Sequence, residues 1–175
     1  DGYRWNLWLY DLERRESRQI TQGDDQRKAV WEDNTHILYK TTEPDEALRA
    51  RGFEEEWTVY HRLNVCTGED REAFRLPMSV SGLWKMDEGR YVFTGETHLD
   101  RPNLLELTGE ALEKELVRRQ QTKGYKVLTE LPLCENGVGM FNQTRITLFL
   151  YLEATGEYRR ITPEMLLDHS SGLPG

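Results

Sequence analysis

The segment LYDLERRESRQIT at residues 9–21 has two counterparts later in the chain, LNVCTGEDREAFRL at 63–76 and LYLEATGEYRRIT at 150–162. In each segment an apolar run leads into a tight turn, and Glu-x-Arg follows the turn. The second Glu-x-Arg lies 53 residues after the first, and the third lies 88 residues further on, which is 53 plus 35. A fixed spacing of this length indicates a repeat architecture. The 35 extra residues predict an insertion in the last repeat.

Tryptophan gives a second marker of the same period. Trp31 follows Glu16 by 15 residues, and Trp84 follows Glu69 by the same 15. Large apolar residues alternate along 5–10, 57–65 and 146–152, with a period of two that is typical of β-strands. Large side chains occupy both faces of these strands, which favours sheets sandwiched between neighbouring sheets.

Turn signals divide each repeat into four short strands, as in a β-propeller blade. We therefore predict an all-β fold of four-stranded antiparallel blades. Residues 1–21 would form the outer strands of one blade, 27–77 a second blade, and 79–162 a third blade with an insertion at about 98–143. Closed propellers have about four to eight blades. Residues 1–175 hold only about three, so we expect an incomplete propeller.

The insertion carries a helical pattern. Leu105, Leu112 and Leu116 recur at helical spacing, and acidic residues precede basic ones, in the order that a helix dipole favours. We predict a helix from Thr108 to Lys123. Its expected role is a strut against the blade rather than a recognition helix.

One part of the insertion resembles a known family. The string YKVLTELPLCENGVGM at 125–140, followed by Arg145 and by LFLY at 148–151, resembles the propellers of acylaminoacyl-peptidase-like members of the prolyl oligopeptidase family. The segments at 7–21 and 31–34 are similar to a propeller repeat of that family which TolB-type propellers share. Two departures are Cys134-Glu135, where aromatic residues are usual, and Glu32, where the repeat usually has serine.

The resemblance implies a serine peptidase that acts on short peptides. In that family the propeller caps an α/β-hydrolase domain and filters substrates by size. The expected partners are therefore an α/β-hydrolase domain of the same full-length protein, absent from this chain, and a peptide substrate. No residue here receives a catalytic role. Arg145, Asn136 and Gly137 are the residues expected to face the hydrolase domain or the peptide, although Arg145 could equally form an ion pair within its sheet.

The alternative is a TolB-like binding propeller with no enzyme attached. A downstream region of about 250 residues with a nucleophile elbow would distinguish the peptidase from this alternative. Within the chain itself, the stretches beginning at Ser79 and Ser170 lack the leading glycine of such an elbow.

Composition argues against several other classes of function. The net charge of −8 disfavours a nucleic-acid partner, and no apolar run is long enough for a membrane span. The four histidines are widely separated and the two cysteines lack CxxC spacing, so we expect no metal site. We expect no cofactor either, because Gly137-Val138-Gly139 lacks the third glycine of a dinucleotide loop. Two reduced thiols favour the cytoplasm, and the run Glu54–Glu56 suggests a solvated face.

Overall fold

The structure, a computed structural model, describes residues 4–23, 25–98, 100–123, 133–135, 139–141 and 144–161. It confirms the all-β class and the four-stranded antiparallel units. Two of its sheets have four strands each, and two are hairpins.

In the three larger sheets, strands that lie side by side are consecutive in the chain, except where the insertion separates two neighbouring strands of the last of these sheets. The first sheet is the hairpin of β1 (Trp8–Asp11) and β2 (Glu16–Gln19). The second sheet contains β3 (Arg27–Trp31), β4 (His36–Pro44), β5 (Glu56–Asn64) and β6 (Asp70–Leu76). The third sheet contains β7 (Val80–Asp87), β8 (Arg90–His98), β11 (Thr144–Leu152) and β12 (Glu157–Arg160).

The insertion lies between β8 and β11. Its helix α2 (Gly109–Thr122) confirms the helix predicted from Thr108 to Lys123. The sequence patterns did not predict the 3₁₀ helix Leu104–Glu106, or the small hairpin of β9 (Leu133–Glu135) and β10 (Gly139–Phe141). They also missed α1 (Glu46–Arg49), a single helical turn between β4 and β5.

The Glu-x-Arg marker corresponds to one position in three equivalent hairpins. Each of its glutamates lies across the hairpin from the residue five positions earlier: Asp11 opposite Glu16, Asn64 bonded to the carbonyl of Glu69, and Leu152 opposite Glu157. Gly68 and Gly156 hold the two later turns at φ values of 78° and 70°, in the left-handed region that glycine adopts without strain. The 53-residue period is therefore a period of the backbone.

The tryptophan marker behaves differently. Trp31 pairs with Ile37 on the face toward the first sheet, whereas Trp84 pairs with Val92 on the face away from the second sheet. The counterpart of Trp31 in the third sheet is Lys85, because Trp31 pairs with Ile37 and Lys85 pairs with Tyr91 across hairpins of equal length. Trp84 lies one residue earlier. Because successive side chains point to opposite faces, this offset of one residue reverses its orientation. The two tryptophans therefore match in spacing and differ in surroundings.

The first and second sheets pack face to face, in what we call the first interface. Apolar side chains of the first sheet and its flanks pack against one face of the second sheet. They are Leu7, Leu9 and Ile20 on the first side, and Ile37, Tyr39, Leu63 and Val65 on the second. Residues of the second sheet in this group are buried. Removal of this apolar surface from water stabilises the contact.

The second and third sheets pack through a larger cluster, the second interface. It joins Leu38, Tyr60, Phe74 and Leu76 of the second sheet to Leu83, Tyr91, Phe93, Phe149 and Tyr151 of the third. Tyr91 and Phe93 are completely buried, and Phe93 stacks on Phe149 with ring centroids 5.1 Å apart. The second sheet is thus covered on both faces, as the two-faced apolar pattern predicted.

The connections sort to two ends of the stack. The helical end holds the β4–β5 connection with α1 and the β8–β11 insertion with α2, and Leu48, Leu104 and Leu116 form a small apolar cluster between them. The hairpin end holds the tight turns that join β1 to β2, β3 to β4, β5 to β6, β7 to β8 and β11 to β12. The candidate site lies at the helical end.

Candidate functional site

A cleft of about 430 Å³ opens between the helical insertion and the third sheet. Three segments converge on it: the acidic run at 54–56 where β5 begins, the link at 77–79 between β6 and β7, and the end of β8 with the loop that follows. Concave surfaces of this size that combine an apolar floor with a few polar groups are common ligand sites.

The floor of the cleft is aromatic and apolar. Phe149 and Tyr158 lie edge to face with centroids 5.7 Å apart, and Met78 lies beside them. A Cβ built on Gly95 would fall 2.4 Å from the Met78 Sδ atom. A larger residue at this position of β8 would therefore force the Met78 side chain to move.

The walls are predominantly acidic. Five glutamates and one arginine, Arg101, line the cleft. The glutamates are Glu54, Glu55, Glu56, Glu96 and Glu106. Arg119 of α2 reaches Glu55 at 2.7 Å, which neutralises that carboxylate. The remaining carboxylates give the cleft a negative field, and this field favours a cation over an anion.

Two groups in the cleft have shifted proton affinity. Burial raises the pKa of Glu106, whose carboxylate accepts a hydrogen bond from the Tyr158 hydroxyl. Burial also lowers the pKa of His98, and the nearby Arg101 guanidinium lowers it further, with 3.1 Å between Arg101 Nη2 and His98 Nε2. The cleft therefore combines a negative field with two groups whose proton affinity is shifted.

The described hydrogen bonds join no serine or cysteine side chain to a histidine. Ser79, at the cleft, contributes its carbonyl oxygen to a backbone bond from Glu96 at 2.9 Å. Among the same residues, no group of three or more His, Cys, Asp or Glu side chains is placed to hold a metal ion. No helix in this part of the chain is both long and apolar enough to cross a membrane.

Arg145 lies near this cleft. It is exposed at the start of β11, opposite Thr97, and Thr97 is one of the residues that line the cleft. Arg145 Nη1 donates to the carbonyl of Thr144 at 3.1 Å, and the Thr97 hydroxyl donates to the Arg145 carbonyl at 3.2 Å. Its predicted role toward a hydrolase domain or a peptide stays a prediction. Asn136 and Gly137, between β9 and β10, lie outside the described residues.

A second polar cluster lies at the hairpin end of the second interface. Arg62 donates to Glu32 at 2.5 and 2.6 Å and to Glu153 at 2.9 Å, and the Tyr91 hydroxyl also donates to Glu32. Burial alone would raise the pKa of Glu32, but the hydrogen bonds from Arg62 and Tyr91 outweigh burial and lower it. This ion cluster ties two sheets together.

The sequence patterns predicted neither the acidic cleft nor the ion cluster as a site, although some of their residues were noted. Glu32 was noted as a departure from the usual serine of the repeat, and that departure was the available signal for the ion cluster. The interpretation of Glu54–Glu56 as a solvated face holds for Glu54 and Glu56, which are exposed, while Glu55 is half-buried. Their convergence with His98 and Glu106 depends on the folded insertion, so no linear spacing could indicate it.

Comparison with known proteins adds little. No known protein family matches the sequence, and no curated protein matches it. The structure is similar to that of the AtxE2 isopeptidase in its apo form, with a TM-score of 0.45 and 10% identity over 91% of this chain and 24% of that chain. This chain thus spans about a quarter of the length of the isopeptidase. A match at this level does not establish a family or an activity.

Proposed function

We propose that this chain is a non-catalytic propeller segment of a serine peptidase acting on short peptides, which caps the active site and filters the access of substrates. The observation that carries the proposal is the stacking of successive antiparallel meanders at the repeat period of the sequence. Blades of a propeller stack in this way. The resemblance of residues 125–140 to prolyl oligopeptidase propellers supports the peptidase assignment.

An exposed apolar face of the third sheet supports the proposal that this chain belongs to a longer stack of blades. Its outward face carries Trp84, Val92 and Ile146, of which Trp84 and Ile146 are largely exposed. Flat apolar surface of this kind normally marks an interaction site. In the proposal a further blade of the full-length protein covers this face, and the α/β-hydrolase domain supplies the catalytic serine, histidine and aspartate in the cytoplasm.

The acidic cleft is the candidate point of contact with the peptide. It lies at the end of the stack where loops and helices project, and loops positioned by a rigid scaffold often carry binding functions. Its aromatic floor would accept an apolar side chain, and its carboxylates would favour a positive charge. A TolB-like binding propeller remains the alternative, since the repeat and the stacked sheets are common to both.

The test is an incubation of the full native protein with a fluorophosphonate probe, followed by intact-mass analysis, and repeated on the 175-residue chain. We expect the full protein to gain one probe and this chain to gain none. A full protein that has lost its fold on heating is the matched control, because specific labelling requires an assembled active site.

The other outcomes are equally informative. An unlabelled full protein would contradict the peptidase proposal and favour the binding propeller. A labelled 175-residue chain would show that a nucleophile lies within it, which contradicts the assignment of a non-catalytic segment.

A further inference from the structure

The two interfaces between sheets are held together in different ways. Both have apolar centres, but the polar contacts across them are unequally distributed. This difference is a property of the described residues and does not depend on the proposed peptidase function.

The second interface is tied at the helical end by the insertion. Helix α2 belongs to the third sheet, yet Arg119 binds Glu55 of the second sheet's β4–β5 connection at 2.7 Å. Arg51 of the same connection makes two bonds of 2.7 Å to Glu113 of α2. Beneath these ion pairs, Leu116 of α2 packs in the buried cluster with Leu48 and Leu104. The insertion therefore clamps the third sheet to the second.

The same interface is tied again at its hairpin end and along β7. Arg62 of the second sheet bridges Glu32 of its own sheet and Glu153 of the third. Lysines add three bonds to carbonyl oxygens across the interface: Lys28 to Ser81 at 2.6 Å, Lys40 to Val80 at 2.5 Å and Lys85 to Glu32 at 2.7 Å. Charged donors make hydrogen bonds stronger than neutral ones do. Sliding or opening of this interface would break contacts at both ends.

The first interface has less polar support. Arg18 donates to the carbonyl of Val65 across it, and no ion pair joins a described residue of the first sheet to one of the second. The first sheet contributes two strands, and its apolar residues Leu7, Leu9 and Ile20 are only partly buried. Regions with few buried apolar contacts open at lower free energy than the core of a protein.

Backbone contacts tie residues before the first sheet to the link that leads into the second. The Gln26 backbone N–H donates to the Trp5 carbonyl at 3.0 Å, just before β3 begins, and Trp5 pairs with Asp25. These contacts lie beside the start of the second sheet.

We infer that the second and third sheets move as one rigid unit, and that the first sheet separates from this unit by local opening at the first interface. Opening would expose the face of the second sheet that carries Ile37, Tyr39 and Leu63. The opposite face of the same sheet stays covered.

Strand β4 offers a matched pair of probes for this opening. Ile37 and Leu38 are adjacent and are 3% and 1% exposed, but Ile37 faces the first interface and Leu38 faces the second. In the full chain with Cys66→Ser and Cys134→Ser, single Ile37→Cys and Leu38→Cys variants would be labelled with a thiol reagent under native conditions. We expect Cys labelling of the Ile37→Cys variant to be at least about tenfold faster, because local opening is less costly than global unfolding.

Equal labelling rates with the same dependence on urea would overturn the inference, because both thiols would then react only through global unfolding. A substitution that disrupts the fold is identified by circular dichroism. Hydrogen exchange of the unsubstituted chain provides a second measurement that needs no variant. We expect the β1 and β2 amides to exchange at least about tenfold faster than the β8 and β11 amides, and equal protection of the two pairs would contradict the inference.

Discussion

The second and third sheets have the same strand order and the same hairpins, yet they differ in how many of their faces are covered. The second sheet packs against a neighbour on both sides. The third sheet buries Phe93 completely on one face, whereas Ile146 on its other face is 61% exposed. The alternation of large residues is similar in both sheets. A two-faced apolar pattern therefore indicates that a sheet can be stacked, and the neighbours present determine which faces are buried.

The comparison makes different predictions for the two faces of the third sheet. Phe93→Ala should lower the free energy of unfolding by about 3–5 kcal/mol, because it empties a ring-sized volume in a close-packed interface. Val92→Ala, the adjacent position on the outward face, should cost less than about 1 kcal/mol. Urea denaturation of both variants measures the difference. Equal losses would mean that the outward face is covered as well as the inward one.

The ion cluster can be tested by removing its cation. Arg62→Met should destabilise the fold by about 2–3 kcal/mol, somewhat below the loss for a fully buried pair, because Glu32 and Glu153 would face each other without a counter-charge. Arg75→Met is the matched control, since Arg75 forms exposed ion pairs with Glu72 and Glu43 and should cost less than about 1 kcal/mol. Urea midpoints of the two variants give the comparison. If Arg75→Met costs as much as Arg62→Met, the cluster does not specifically hold the second interface.

The pH dependence of stability should also report on Glu32. Its pKa is lowered in the folded state, so its ionised form stabilises the fold above the unfolded-state pKa. This contribution is lost as the pH falls through the lowered folded-state pKa. We expect Glu32→Gln to be about 1.5 kcal/mol less stable than the unsubstituted chain at pH 7, with the gap closing below about pH 4. Urea midpoints from pH 7 to pH 3 test this, and a gap that widens in acid would contradict it.

The smallest effect is expected on the outward face of the third sheet. Ile146→Ser should change the free energy of unfolding of this chain by less than about 0.5 kcal/mol, because the side chain is already in contact with water. In the full native protein the same substitution should be more costly if a further blade covers this face. Thermal or urea unfolding of both proteins measures this contrast. Equal, small losses in the two would argue against a covering blade.

Features with a local or periodic signal were predictable from the sequence. Hairpins at 53-residue spacing followed from Glu-x-Arg and turn glycines, and α2 followed from leucines at helical spacing. The turn α1 has only four residues, too few for a helical period to emerge. The cleft was not predictable, because Glu55 and Glu106 come together only after the insertion folds back onto the second sheet. The ion cluster joins residues up to 91 positions apart.

The position of Trp84 limits how this chain could be recombined. A duplication or swap cut at Trp31 and Trp84 would preserve the 53-residue spacing of the sequence. Such a chimera would nevertheless place a tryptophan on the opposite side of its strand, because the counterpart of Trp31 in the third sheet is Lys85. A cut at Trp31 and Lys85 joins positions that face the same way, since their partners Ile37 and Tyr91 both face the preceding sheet. The frame that conserves spacing and the frame that conserves orientation are thus distinct, and gene fusions built from these repeats must follow the second.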